Sequence, residues 1–297
     1  MAEALLDTDV IRTLYDPHTI FYLILVVAVF FLGKWANDRF TSYDLNRELT
    51  GRDNKAVAVS FTGYLFSLAI ILAAVLGSGS SGESTGSVWG DLGADLLATL
   101  IWSASGILLL QVAHLANDKL LLHRFSNEKE LTEDQNVGTG AVQCGAYIGS
   151  ALVIAGAISG DDSYGLGLEL AITGVYFVVA QAAFIALGFL YQLATRYDLH
   201  AEIEDDNIAA GASFGMTLVA IGLLLSGYLV RFDSLLGLLV WFLISTAFLI
   251  GFRFIVDRVI LPGAKLDDEI SRDQNWGAAL IEGGCAIGLA LILNASF

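Results

Sequence analysis

Residues 42–61 read SYDLNRELTGRDNKAVAVSF, and residues 196–214 read RYDLHAEIEDDNIAAGASF. The two stretches share Tyr-Asp-Leu, an acidic residue followed by Leu or Ile, Asp-Asn, and Ser-Phe. Two further stretches match each other: ELTEDQNVGTGAVQCGAYIG at 130–149 and EISRDQNWGAALIEGGCAIG at 269–288. All four carry an acidic-Leu/Ile step, then Asp, then Asn at the start of an apolar run. The Asn residues are Asn54, Asn136, Asn207 and Asn275; the Asp residues are Asp53, Asp134, Asp206 and Asp273. A pattern that returns four times implies one supersecondary unit used repeatedly.

Each of these motifs sits between two long apolar runs. Spans are expected near 18–38, 54–77, 92–118, 136–158, 166–194, 207–230, 235–258 and 275–295. Each is long enough to cross a hydrocarbon core of about 30 Å at 1.5 Å per helical residue. The 297-residue chain is 56% hydrophobic and only 15% charged, against roughly 25% charged in soluble domains. In lipid the backbone must satisfy its own hydrogen bonds, and continuous rather than alternating apolar runs exclude a barrel. The fold class is therefore all-α: a polytopic bundle of eight transmembrane helices made from four helical hairpins. The hairpins fall into two four-helix halves, 1–160 and 161–297. Because two spans per unit restore direction, the repeats are parallel, unlike the inverted repeats of many transporters. They suit a pseudo-fourfold or a nested twofold arrangement about an axis along the membrane normal.

The bases set the orientation. Thirteen of the 15 Lys and Arg residues lie in or beside the loops after spans one, three, five and seven, leaving Arg12 and Arg231 on the other side. By the positive-inside tendency the odd-to-even loops are cytoplasmic and both termini are outside. The outer connections are short apart from a Gly/Ser segment at 77–90, so no extracellular domain is expected. The acidic start of the chain is unlike a secretory signal. A net charge of −16 makes nucleic acid an improbable partner.

The Tyr-Asp-Leu…Glu-Leu…Asp-Asn loop followed by an Ala/Gly-rich span resembles the bacterial inner-membrane family called domain of unknown function 350. The resemblance covers two four-helix units in tandem, from about residue 18 onward. It implies a prokaryotic plasma-membrane location and a four-helix building block, and it supplies no catalytic residues.

The even spans carry Gly145-x3-Gly149, Gly211-x3-Gly215, Gly284-x3-Gly288 and Gly63-x3-Ser67. Small residues at this spacing let helix backbones approach closely in lipid. Even helices are therefore expected inside and odd helices toward lipid. For the Asp-Asn motif there are two readings. One is structural: Thr50, Thr132 and Ser271 act as N-caps, Gln135 and Gln274 complete capping boxes at N3, and the Asp residues lie in the first turn. The other is functional: four Asn and four Asp converge on one mouth, offering oxygens that suit a hard cation.

Glu282 lies seven residues after Asn275, deep in a span, where an ionisable group is costly and a functional candidate by default. Gln143 holds the same place after Asn136, and Phe61 and Phe214 hold it in the other two copies, which would set a narrow constriction. The plainer alternative is a partnered Glu282 that ties helices together. The run Lys34-x3-Asp38, His114-x3-Asp118, Arg253-x3-Asp257 places a base where it can pair one turn on or meet lipid phosphate.

No phosphate loop, His/Cys cluster or hydrolase motif occurs, so neither an enzyme, a cofactor nor a metal site is expected. The leading expectation is a small-ion permeation or transport protein with Glu282, Gln143 and the four Asn residues along the path. The competing one is a membrane scaffold that docks a cytoplasmic protein on the acidic loops 128–134, 202–206 and 267–273. The lipid bilayer is the expected partner; a small cation, a cytoplasmic protein and a second copy in a homo-oligomer are the other candidates.

Overall fold

A computed structural model describes residues 17–78, 86–159, 164–232 and 234–296; among these it contains helices and no strand. Eight helices are long and apolar enough to cross a membrane. They are α1 (Pro17–Phe40), α2 (Lys55–Gly77), α3 (Val88–Leu120), α4 (Val137–Ile158), α5 (Leu166–Ala194), α6 (Ile208–Leu229), α7 (Leu235–Ile255) and α8 (Trp276–Ser296). These agree with the sequence-derived spans to within a few residues. Arg12, Asp233, the turn at 160–162 and most of the Gly/Ser segment lie outside the described residues. We call α1–α2, α3–α4, α5–α6 and α7–α8 units 1 to 4.

The odd-to-even connections are not plain loops. Each holds a short helix: a π-turn at Arg47–Gly51, then Asn127–Thr132, Leu199–Glu204 and Leu266–Ser271. A residue with left-handed φ follows each one: Asp53 at 49°, Gln135 at 52°, Asp206 at 57° and Gln274 at 46°. A non-glycine residue held there costs about 1–3 kcal/mol unless its surroundings enforce it. This residue reverses the chain so that the next position starts an even helix.

That geometry corrects the capping assignment. Asn54, Asn136 and Asn207 are themselves the N-caps, with extended backbone and Oδ1 accepting from Val57 N, Thr139 N and Ala210 N. Asn275 likewise accepts from Gly277 N and Ala278 N. Thr50, Thr132 and Ser271 instead lie in the preceding short helices, where each hydroxyl bonds back to the carbonyl four residues earlier. Gln135 and Gln274 are the left-handed residues rather than N3. The unit 3 copy, which has Ile203 where a cap was sought, fits the corrected pattern as well as the others.

The interior is formed by the two central even helices. Of the most apolar 18 residues, 72% are buried in α4 and in α6, against 17% in the odd α1 and α7. But α8 at 33% is less buried than the odd α3 at 39% and α5 at 44%, so the expected inner position holds for only part of the set of even helices. They stand in a row rather than a ring: α2 packs on α4, α4 on α6 and α6 on α8, and α8 forms no packing interface with α2. Glycine makes the row tight. A Cβ on Gly211 would overlap the backbone of Gly138, and one on Gly140 would lie 2.5 Å from the Ala56 carbonyl oxygen. Gly disfavours a helix by about 1 kcal/mol per residue, and backbone-to-backbone contact in lipid offsets that. Gly284 and Gly288 of the predicted pairs have nothing within 4 Å.

Several large buried polar side chains in the spans find partners, while the hydroxyls of Ser103 and Ser245 find none among the described residues. Tyr64 donates to the Gly33 carbonyl at 2.7 Å and accepts from Gln111 at 3.1 Å. Trp241 donates to the Leu224 carbonyl at 2.8 Å.

The connections also knit to one another on one side of the row. Arg124 pairs with Asp198 at 2.5 Å, Arg52 donates to the Thr132 carbonyl at 2.7 Å, and Ser42 bonds to Glu128. His200, 3% exposed, donates from Nε2 to the Leu121 carbonyl at 2.7 Å while its buried Nδ1 has no hydrogen-bond partner. Burial pushes the His200 pKa below its usual range, aided by His123 and Arg124 and opposed by the Leu121 carbonyl and Asp198.

A second proton on His200 would strand a buried N–H. Stability from this contact is thus full above the unfolded pKa near 6.5 and falls as pH drops toward the lowered folded value, because the unfolded chain binds the proton first. Thermal melts in nanodiscs at pH 7.5 and 5.5 should show an acid-induced loss of stability that His200→Gln reduces. An identical pH dependence in the variant would exclude His200 as its source.

Candidate functional site

The four Asn residues do not meet at one mouth. Asn54, Asn136 and Asn207 each sit at a separate boundary between consecutive units. Asn54 donates both amide protons, one to Glu48 at 2.9 Å and one to the Leu131 carbonyl of unit 2 at 2.8 Å. Asn136 donates to Glu130 at 2.9 Å and to the Ile203 carbonyl of unit 3 at 2.6 Å. Asn207 donates to Glu202 at 2.7 Å and to the Ile270 carbonyl of unit 4 at 2.9 Å. These three are at most 1% exposed. With Oδ1 accepting at the helix start, the amide uses one acceptor and two donors at once, which neither Asp nor Ser can do. Asn275 keeps the bond to Glu269 at 2.8 Å but meets no second short helix among the described residues and is exposed.

The acidic residue of the repeated acidic-Leu/Ile step is therefore the structural partner of Asn. Burial pushes the Glu48 carboxyl up, but Asn54 and Arg52 outweigh it and hold the group below the usual range. Glu130 lacks such a base within the pair; burial, helped by nearby Asp134, keeps it above that range despite Asn136. The candidate Asp residues are all exposed and do not occupy one structural position. Asp53 and Asp206 are the left-handed residues, and Asp206 accepts from Gly138 N at 3.2 Å. Asp134 pairs with Lys129 at 3.2 Å and Asp273 with Arg272 at 2.7 Å. No grouping of His, Cys, Asp and Glu suited to a metal occurs among the described residues.

The polar residues deeper in the spans gather at two separate boundaries. Between units 1 and 2, Ser60 donates to Gln143 at 2.7 Å, and Gln143 reaches Asp118 at 3.5 Å. Between units 3 and 4, Ser213 donates to Glu282 at 2.5 Å, Tyr191 to Glu282 at 3.2 Å, and Arg253 to Glu282 at 2.9 Å. Ser60 and Ser213 each fall six residues after their Asn, so the two clusters are copies of one design. The first is uncharged at its centre and the second is ionic. Phe61 stacks on Tyr64 and Phe214 on Tyr191, each beside its own cluster. The expected constriction of two polar and two aromatic residues at one level is therefore not formed.

Arg253 joins the second cluster to the connection side. Its Nη2 donates to Asp267 at 2.6 Å, and its guanidinium lies 5.4 Å from the centre of the Tyr191 ring. The side chains are 11% exposed for Arg253, 4% for Glu282 and 20% for Asp267, a gradient from the surface inward. Lys34 and His114 do face Asp38 and Asp118 one turn on, but Arg253 does not pair with Asp257. Asp257 instead accepts from Leu266 N and so starts the short helix that carries Asp267. A cavity of about 30 Å³ adjoins the cluster, lined by Tyr191, Thr217, Thr246, Arg253, Glu282 and apolar side chains. That is room for a water molecule or two. With all three groups ionised, the cluster carries one net negative charge. Sequence reasoning singled out Glu282 and missed Arg253, Tyr191, Ser213 and Asp267 as its partners. The signal available for two of them was Ser213 beside Asn207 in register with Ser60, and Arg253 as the one Arg at its repeat position.

Comparison with known proteins agrees with this architecture. A UPF0719 transmembrane protein of Aquifex aeolicus (strain VF5) is 26% identical over 209 residues, covering 68% of this chain and 71% of its own. No solved structure matches the chain. The family described as Domain of Unknown Function (DUF350) matches in two segments, residues 7–158 and 165–297. Eight apolar helices, a repeated connection and a match across nearly the whole length lead to one statement: this is a multi-pass integral membrane protein, and it belongs to the DUF350 family.

Proposed function

We propose that the protein moves protons or small cations across the membrane, with exchange at Glu282 in the second half of the chain. The observation that carries this reading is the asymmetry of the two copied clusters. Ser60 and Gln143 join units 1 and 2 without a central charge, so joining units does not require one. At the matching place the second half buries Glu282 and Arg253 beside a hydratable cavity, at a cost of several kcal/mol of desolvation. A charge kept there at such a cost suits a group that exchanges an ion.

The route runs between α5, α6, α7 and α8, along the step from Asp267 through Arg253 to Glu282. It does not follow the contacts between even helices, where glycine brings backbone onto backbone. The Lys and Arg bias supports a cytoplasmic placement of the Asp267 end. The scaffold reading has less support, because much of the acidic loop charge is engaged internally. Glu130, Glu202 and Glu269 bond to Asn, Asp267 to Arg253, and Asp134 and Asp273 to neighbouring bases.

The test is flux in proteoliposomes under imposed proton, sodium and potassium gradients. Wild type is expected to carry at least one of them, and Glu282→Gln to carry it at least about tenfold more slowly, the factor that 1.4 kcal/mol represents. Absence of flux under every gradient would remove the transport reading.

A further inference from the structure

We propose that the protein assembles head to tail, with the outer face of α8 in one copy seated on α2 of a second copy. The three boundaries inside the chain give the template. At each, an Asn N-cap of one unit donates to a carbonyl in the short helix of the next, and small residues let the even helices touch. Among the described residues, nothing covers this joint on unit 4.

The register is the main argument. In α4, Gly138, Gly145 and Gly149 lie two, nine and thirteen residues after Asn136, and they face Asn207, Gly215 and Leu218 of unit 3. In α8, Gly277, Gly284 and Gly288 lie at the same three offsets from Asn275. Among the described residues, a Cβ on Gly284 or Gly288 would meet nothing within 4 Å, and one on Gly277 only its own Asn275. So unit 4 carries the forward face of unit 2, uncovered by any described residue.

The complementary face is on unit 1. Unit 3 receives unit 2 through Gly211, Gly215 and Gly222, at four, eight and fifteen residues after Asn207. The same offsets from Asn54 give Ala58, Thr62 and Ala69, all small, with Thr62 and Ala69 exposed. The carbonyl matching Ile203 in unit 1 belongs to Leu49, which follows Glu48 as Ile203 follows Glu202.

A second observation marks the joint as open. A groove of about 540 Å³ lies at the connection end of α8, bordered by Pro262, Ala264, Glu269, Asn275, Gly277 and Ile281. At the other boundaries the short helix of the following unit meets the Asn at this point. Lipid chains can cover an apolar helix face, but they do not bring a peptide carbonyl to an Asn amide at the membrane edge. The unit 1 end of a second copy does.

The interface joins unlike faces, so it is heterologous and extends to a ring or an open chain. Its test uses chains in which Cys144 and Cys285 are replaced by Ala. By register with Gly145 against Gly215, Gly284→Cys should oxidatively cross-link to Thr62→Cys on a second chain when the two single variants are co-reconstituted. Gly284→Cys with exposed Val175→Cys should not. Gly284→Leu should leave folding intact, because nothing lies near that position, and abolish the oligomer seen by mass photometry in nanodiscs. A folded chain that gives no 284–62 cross-link, or an oligomer that survives Gly284→Leu, would overturn the proposal and leave lipid as the cover of α8.

Discussion

Asn136→Asp should destabilise the protein more than Asn136→Ala, the reverse of what helix capping alone predicts. Asp is as good an N-cap as Asn, and replacing either by Ala costs about 1 kcal/mol. Here the amide also donates to Glu130 and to the Ile203 carbonyl from a position 1% exposed. Ala leaves those acceptors unsatisfied, at about 1–3 kcal/mol. Asp puts a carboxylate against a carboxylate and a carbonyl, which is an uncompensated buried charge of about 3–5 kcal/mol. In a chain of this size that is a drop in Tm of roughly 5–8 °C. The deficit should shrink on acidification, because one proton shared between the introduced carboxylate and Glu130 restores a donor, and Glu130→Gln should rescue the Asp variant at neutral pH. Melts of the three variants at pH 7.5 and 5.0 test this; an Asp variant as stable as wild type at pH 7.5 would mean that Asn136 serves only as a cap.

The second large effect is expected at the ionic cluster. Arg253→Leu alone leaves Glu282 and Asp267 without their shared base and should cost about 3–5 kcal/mol. Arg253→Leu combined with Glu282→Leu should recover to within about 1–2 kcal/mol of wild type, since Asp267 is partly hydrated and apolar replacements of a buried pair are often tolerated. The double-mutant cycle measures the coupling directly. A stable double variant that carries no flux would separate the role of the charges in transport from any role in holding units 3 and 4 together. A double variant no more stable than Arg253→Leu would mean that the pair is needed for folding itself.

The eight spans and their repetition were legible because lipid imposes a strong and local rule: a run of apolar residues, long enough, becomes a helix. The inner position of α4 and α6 was legible through glycine spacing, but α8 carries the same spacing and is less buried than α3 or α5. The capping geometry was not legible. Thr132 followed by Gln135 satisfies the capping-box pattern as well as Asn136 satisfies a simple N-cap. What decides between them is a left-handed backbone at Gln135, a residue type that gives no warning of it. The row was not legible either. A repeat says that successive boundaries are alike, but not how far each turns relative to the last. Glu282 stood out as a charge in a span, yet its main partner is 29 residues away on another helix. The nearer candidate, Asp257, competed for Arg253 and was taken instead by Leu266 N.

The row has a consequence for biosynthesis. Packing interfaces join consecutive units, and the acceptor for each interior Asn amide belongs to the hairpin that follows it in the chain. A hairpin leaving the translocation machinery therefore finds its docking partner already inserted, and on arrival it closes the open bonds of its predecessor. Assembly can keep pace with synthesis one hairpin at a time, with no early segment waiting for the C-terminus, as in other arrays held by nearest-neighbour contacts.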